Sequence, residues 1–179
     1  MYVRRGLGAL TPPIAGTPII SSLFGPRAQP VAGASTNHQG IDYAVPVGTP
    51  VEAAGDGTVI FAGVQSGFGN TVVIDHGGGV TTLYGHLSQI GVSVGQSVGD
   101  GQQIALSGAT GTVSGPNLHF GVYENGSAID PEMQLAPDID STDASLDLST
   151  AFGDPSATPD PVMLGAAALA LGLLVYSAL

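Results

Sequence analysis

Between Ile20 and Pro131, apolar and polar residues alternate in short runs, and glycine interrupts each run before a helical period can repeat. Period-two alternation rich in Val, Ile, Thr, Tyr and Phe marks strands. The candidates are residues 51–61, 71–75, 80–86, 102–106 and 118–123. Gly55-Asp56-Gly57, the glycines Gly77 to Gly79 and Gly99-Asp100-Gly101 supply turn chemistry around them. Short strands at this spacing predict a mainly β fold, an antiparallel sheet or open barrel.

The flanks break the pattern. Residues 1–16 read as an irregular arm: Arg4 and Arg5 start like a signal peptide, but the next apolar run is short and Pro12-Pro13 interrupts it. The β domain is set at 17–131. Residues 132–160 carry Glu132, Asp138, Asp140, Asp143, Asp147, Asp154 and Asp160 with no basic residue, the composition of a flexible acidic linker. Residues 161–179 carry no charge. Asp160 suits an N-cap and Pro161 the first helical position. A helix of that length spans roughly 28 Å, close to a bilayer core. The competing reading is a buried or oligomerising helix. Beyond Tyr176 and Ser177 no polar side chain is available for water, so the expectation is a C-terminal transmembrane anchor with membrane lipid as partner.

Charge narrows the partners. The formal net charge is −11 and the three basic residues are Arg4, Arg5 and Arg27, so a phosphate backbone is repelled and nucleic acid is not expected as a partner. Cysteine is absent. Disulfides, thiolate zinc sites and a cysteine nucleophile are excluded, and a metal here must be held by histidine and carboxylate.

Four histidines remain to be read: His38, His76, His86 and His119. In His38-Gln39-Gly40-Ile41-Asp42 the glycine argues for a loop entering a strand, with a bend that lets His38 and Asp42 converge. Alternation in Leu118-His119-Phe120 puts His119 on the face opposite its apolar neighbours. His86 closes the run Tyr84-Gly85-His86, and His76 stands at a strand end with a structural or turn role. Each piece alone recurs by chance. Together, two imidazoles and a carboxylate make the three-ligand set of a catalytic zinc site whose fourth position is left to water.

The order of the pieces is more specific than any one of them. SSLFGPR, HQGIDYAVPVGTPVEAAGDGTVIFAG, FGNTVVIDHGGGVTTLYGHLSQIGVSVGQSVGDGQQIALSGATG and SGPNLHFGVYENGSAIDP follow one another from Ile20 to Pro131. This resembles the lysostaphin-like, or LytM-type, zinc metallopeptidase family of peptidoglycan endopeptidases. The resemblance implies an antiparallel core with a groove between loops, and cleavage of peptide bonds in peptidoglycan. It places the zinc ligands on His38, Asp42 and His119, and a catalytic histidine on His86. One position departs. Where active members carry the first histidine of His-Leu-His, this chain has Asn117. An amide can hold a water or donate to an oxyanion, but it cannot exchange protons near neutral pH. Two readings stay open: an endopeptidase weakened by Asn117, or a non-catalytic zinc-stabilised wall-binding or structural module. A tail anchor without an export signal is reconciled with a wall substrate by a membrane-containing phage virion, with virion proteins as further partners. A bacterial envelope protein is the alternative.

Overall fold

The computed structural model describes residues 10–135. Most of the arm, nearly all of the acidic linker and the expected anchor at 161–179 lie outside the described residues. Among the described residues no helix is long and apolar enough to cross a membrane.

Thirteen strands follow in chain order: β1 (Ile19–Ser22), β2 (Gly25–Pro26), β3 (Asn37–His38), β4 (Ile41–Ala44), β5 (Pro50–Glu52), β6 (Gly57–Gln65), β7 (Gly69–Gly77), β8 (Val80–Leu87), β9 (Gln89–Ile90), β10 (Ser97–Val98), β11 (Gln103–Leu106), β12 (Leu118–Glu124) and β13 (Ser127–Ile129). A short 3-10 helix, Pro131–Met133, follows them. The large sheet is an open path in the order β1-β4-β12-β8-β7-β6-β10, with β13 paired to β12. A second sheet has the order β5-β11-β9, and β2 pairs with β3. All the pairings are antiparallel. The mainly β, antiparallel expectation therefore holds, with the large sheet an open path.

One expected strand is divided. Residues 51–61 do not form a single strand: β5 ends at Glu52 and β6 begins at Gly57. The cause is the Gly55-Asp56-Gly57 turn. At Gly57 a Cβ would lie 2.6 Å from both the Asp75 carbonyl oxygen and the Ile74 side chain, so only glycine lets β6 start against β7.

Alternation sorts each central strand onto two faces. Ile41 and Tyr43 of β4, Leu118, Phe120 and Val122 of β12, Tyr84 of β8 and Ile74 of β7 join one buried apolar cluster, which also takes Val51 of β5 and Ile104 of β11 from the second sheet. The Tyr84 and Phe120 rings lie 5.5 Å apart. The Tyr84 hydroxyl accepts from the Ala54 amide at 2.8 Å and from Thr82 Oγ1 at 3.0 Å, so its polar end is satisfied inside the core. The opposite face of β4 and β12 is left for Asp42 and His119.

The body also reaches past both expected edges. Leu10 and Ile14 are buried in the core, Leu10 forms a parallel bridge with Leu135, and the Leu10 amide donates to the Gln134 carbonyl at 2.9 Å. The backbone continues to be held by Thr11 N–H to Ala54 O and by Glu52 N–H to Pro13 O, each at 2.9 Å. Residues 10–16 lack regular structure yet belong to the domain.

Candidate metal centre

Register builds the first half of the site. Asp42 on β4 is the direct partner of His119 on β12, and His119 is the direct partner of Gly85 on β8. His38 lies at the end of β3, and Gly40 brings the chain back into β4. A Cβ on Gly40 would stand 2.4 Å from the Phe120 carbonyl oxygen and 2.8 Å from His119 Nε2, so the bend closes only around glycine.

Three ligand-type atoms converge there. His38 Nε2 is 3.1 Å from Asp42 Oδ1 and 3.0 Å from His119 Nδ1, and His119 Nδ1 is 2.9 Å from Asp42 Oδ1. All three residues are buried, and they are the group among the described residues able to hold a metal ion. His38 donates its Nδ1 proton to the Leu23 carbonyl at 2.8 Å, which leaves the Nε2 lone pair facing the cluster. Ligands of a tetrahedral zinc bound at about 2.0–2.2 Å stand roughly 3.3 Å apart, close to the spacing here.

Hydrogen bonding alone leaves the cluster faulted. His119 Nε2 is buried without a partner. A neutral His119 with its proton on Nδ1 leaves a bare buried lone pair at Nε2. With the proton on Nε2, the Nδ1 lone pair faces a carboxylate. A cation among the three atoms removes that second conflict, so the residues fit a divalent metal. The electrostatics agree. Burial pushes the Asp42 carboxyl up, but hydrogen bonds to His119 and His38 and their charge outweigh it and hold it well below the usual carboxylate range. Burial lowers His119 to about 4 against the opposing pull of Asp42, so at neutral pH its imidazole is uncharged and able to ligate.

The second half of the site is made by an irregularity. Alternation along β8 would send His86 into the core behind Tyr84. Instead His86 has φ 64°, a left-handed conformation uncommon outside glycine. The register between β7 and β8 shifts at the same place, between Asn70 and Val72. This bulge turns His86 toward the groove and Leu87 into the core, the re-aiming that bulges perform beside functional sites. His86 donates Nδ1–H to the Thr110 carbonyl at 2.8 Å, and its own backbone N–H donates to Phe68 O at 2.7 Å. Burial lowers its pKa, so the imidazole is neutral with Nε2 free.

A groove of about 270 Å³ is lined by His38, His86, His119, Phe68 and Arg27, among others. The Phe68 ring lies 4.9 Å from that of His119 and 6.2 Å from that of His86. Asn117 is not part of that lining. It pairs with Gly108 through its backbone, and its Oδ1 is buried without a partner. His76 is remote from the groove: its ring nitrogens meet Asp56 O at 2.8 Å and Thr82 Oγ1 at 2.7 Å, a structural bridge. Sequence reasoning passed over Arg27, Phe68 and Thr110. Arg27 carried one signal, as the only lysine or arginine beyond the first five residues. Thr110 acts through its backbone carbonyl and carried none.

An antiparallel sheet that presents two histidines and an aspartate at the floor of a groove, with a third histidine on its wall, defines the class of β-scaffold metallopeptidases. Residues 36–131 match the model of peptidase family M23. This is more than half of the chain, and the chain belongs to that family. It is 47% identical over 111 residues to the peptidoglycan DD-endopeptidase ShyA of Vibrio cholerae, covering 62% of this chain and 26% of ShyA. The structure of a zinc-containing peptidase from Vibrio cholerae aligns with a TM-score of 0.63 at 41% identity, over 69% of this chain and 39% of that one. The catalytic domain of lysostaphin from Staphylococcus simulans aligns with a TM-score of 0.59 at 34% identity, over 65% of this chain and 90% of that domain. The chain spans less than a third of the length of the curated relatives it matches.

Proposed function

We propose that this chain is a zinc-dependent endopeptidase that hydrolyses peptide bonds of bacterial peptidoglycan. The observation that carries the reading is the meeting of His38 Nε2, Asp42 Oδ1 and His119 Nδ1 at the floor of a groove, with His86 Nε2 free on its wall. His38, Asp42 and His119 would hold the metal. Bound zinc supplies Lewis acidity toward a carbonyl and lowers the pKa of a water at its open position. His86, neutral and fixed in one tautomer by Thr110, presents Nε2 to accept a proton from an attacking water or to deliver one to the departing amine. Phe68 packs its ring against that of His119, 4.9 Å between centroids.

The test is release of soluble fragments from purified peptidoglycan by the full chain, with and without zinc. Fragment release that needs zinc and is lost in His119→Ala supports the reading; release by a chain stripped of metal overturns it.

A second reading, a zinc-stabilised wall-binding or structural module without turnover, is favoured by Asn117, whose amide cannot exchange protons near neutral pH. Stoichiometric zinc, retention on peptidoglycan and no fragments at any enzyme concentration would establish it.

The reading extends to location. Residues 161–179 anchor the domain to a membrane, and a membrane-containing phage virion brings such a domain to the wall from outside. Their uncharged composition behind an acidic stretch supports this. Flotation with phospholipid vesicles tests it: the full chain should float and a chain ending at Asp160 should not.

A further inference from the structure

Arg27 is the only lysine or arginine among the described residues, in a chain of net charge −11, and it lies at the metal centre. Its NH1 donates to Asp42 Oδ2 at 2.9 Å. That is the carboxylate oxygen turned away from the cluster, since Oδ1 is the atom that meets His38 and His119. The same nitrogen donates to Ser22 Oγ at 2.6 Å, and Ser22 Oγ stands 3.3 Å from His38 Nδ1. Ser22 is also the β1 partner of Asp42 in the sheet. One guanidinium nitrogen therefore braces Asp42 directly from behind and holds the Ser22 hydroxyl beside His38, whose Nδ1 proton goes to Leu23 O. Arg27 is itself fixed, with its backbone N–H donating to Thr36 O at 2.8 Å across the β2–β3 pair.

We propose that Arg27 is a positioning residue that makes Asp42 a one-oxygen ligand: by occupying Oδ2 it leaves only Oδ1 to face the metal. The inference rests on the metal-binding reading above. A carboxylate free to turn can offer both oxygens to a cation, which raises the coordination number and takes the position a catalytic centre keeps open. The guanidinium prevents this with a charge-assisted bond held in a fixed plane. Partners behind the ligands are an established means of setting ligand orientation. The position of Arg27 has an electrostatic consequence too. Its charge repels the metal, so its place behind Asp42 is explained by orientation of the carboxylate rather than by attraction of the ion.

The experiment uses the full chain loaded with cobalt(II), whose visible absorption reports coordination number, at equal metal occupancy. Arg27→Met removes every donor to Oδ2. Arg27→Gln keeps a neutral donor too short to span Asp42 and Ser22 together. The bands should lose intensity and shift in the order wild type, Gln variant, Met variant, with thermal unfolding of the metal-free proteins showing that each is folded. A Met variant whose spectrum superimposes on wild type overturns the assignment. If the Met variant does not fold, the Gln variant decides by the same criterion: a displaced spectrum supports the role and a superimposed one removes it. Failure of wild type to take up cobalt or zinc would instead count against the metal centre itself.

Discussion

The two halves of the groove are built by different means. The metal half comes from strands in register: Asp42 and His119 are direct partners across β4 and β12, and both obey the alternation that buries Ile41, Tyr43, Leu118 and Phe120 behind them. The proton-handling half comes from a departure from register, a bulge with His86 at φ 64° clamped by the loops that carry Phe68 and Thr110. Regular sheet fixes the spacing of Asp42 and His119, and only the turn of the Asp42 carboxylate is left to a side chain, Arg27. A side chain that must face against the pleat needs loops to hold it there, so the second half depends on more residues and tolerates less change around it.

The largest effect should come from His119→Ala, which removes a ligand. Bound zinc should fall far below one per chain by elemental analysis, and hydrolysis should fall to background. Near-stoichiometric zinc in that variant would falsify the ligand assignment. Next, His86→Ala should lower turnover by about 10²- to 10⁴-fold while zinc content stays at wild-type level, a split that separates the two halves. Asn117→His should raise turnover by about 10²-fold, the lower end of the range for one acid–base group, because His86 is already in place to handle a proton. No gain at matched zinc occupancy would show that the chemistry runs on His86 alone. Gly111→Ala should act through the clamp. Gly111 has φ 79° and an added Cβ would meet the Gly67 carbonyl oxygen at 2.4 Å, so the loops beside His86 must part. Turnover should fall about tenfold, roughly 1.4 kcal/mol of barrier, with zinc binding intact. Equal loss of zinc would mean the two halves are not independent.

The smallest effect is on stability. His119 has a folded-state pKa of about 4 against 6.5 unfolded. Between these values the unfolded chain holds more protons, so the metal-free protein should gain stability as pH rises from 4 to 6.5 and be level above it. Asp42, depressed below 3.8, adds to the loss on further acidification. Urea unfolding midpoints across this range should show the slope in the wild type and a weaker one in His119→Ala.

The sequence disclosed these halves unequally. Alternation placed His119 opposite Leu118 and Phe120, and Gly40 signalled the bend between His38 and Asp42, because strand faces and tight bends are local properties. The five strand candidates were found, although residues 51–61 ran across a turn whose glycines were visible in the sequence. His86 was legible only through family resemblance. Nothing local says that a histidine after Tyr-Gly adopts a left-handed conformation and reverses its face, since the cause is a register shift against Asn70 and a carbonyl more than twenty residues away. Arg27 was hidden for the same reason: its partners Ser22 and Asp42 meet only after β1 pairs with β4.

The bridge between Leu10 and Leu135 has a mechanical meaning. Leu10 and Leu135, at the two ends of the described chain, lie side by side. A pull between the two flanks would load this short parallel contact, and the Leu10 amide bond to Gln134, before any strand of the large sheet. The groove residues are not in that line of force. The bridge shares no residue with the His38, Asp42 and His119 cluster.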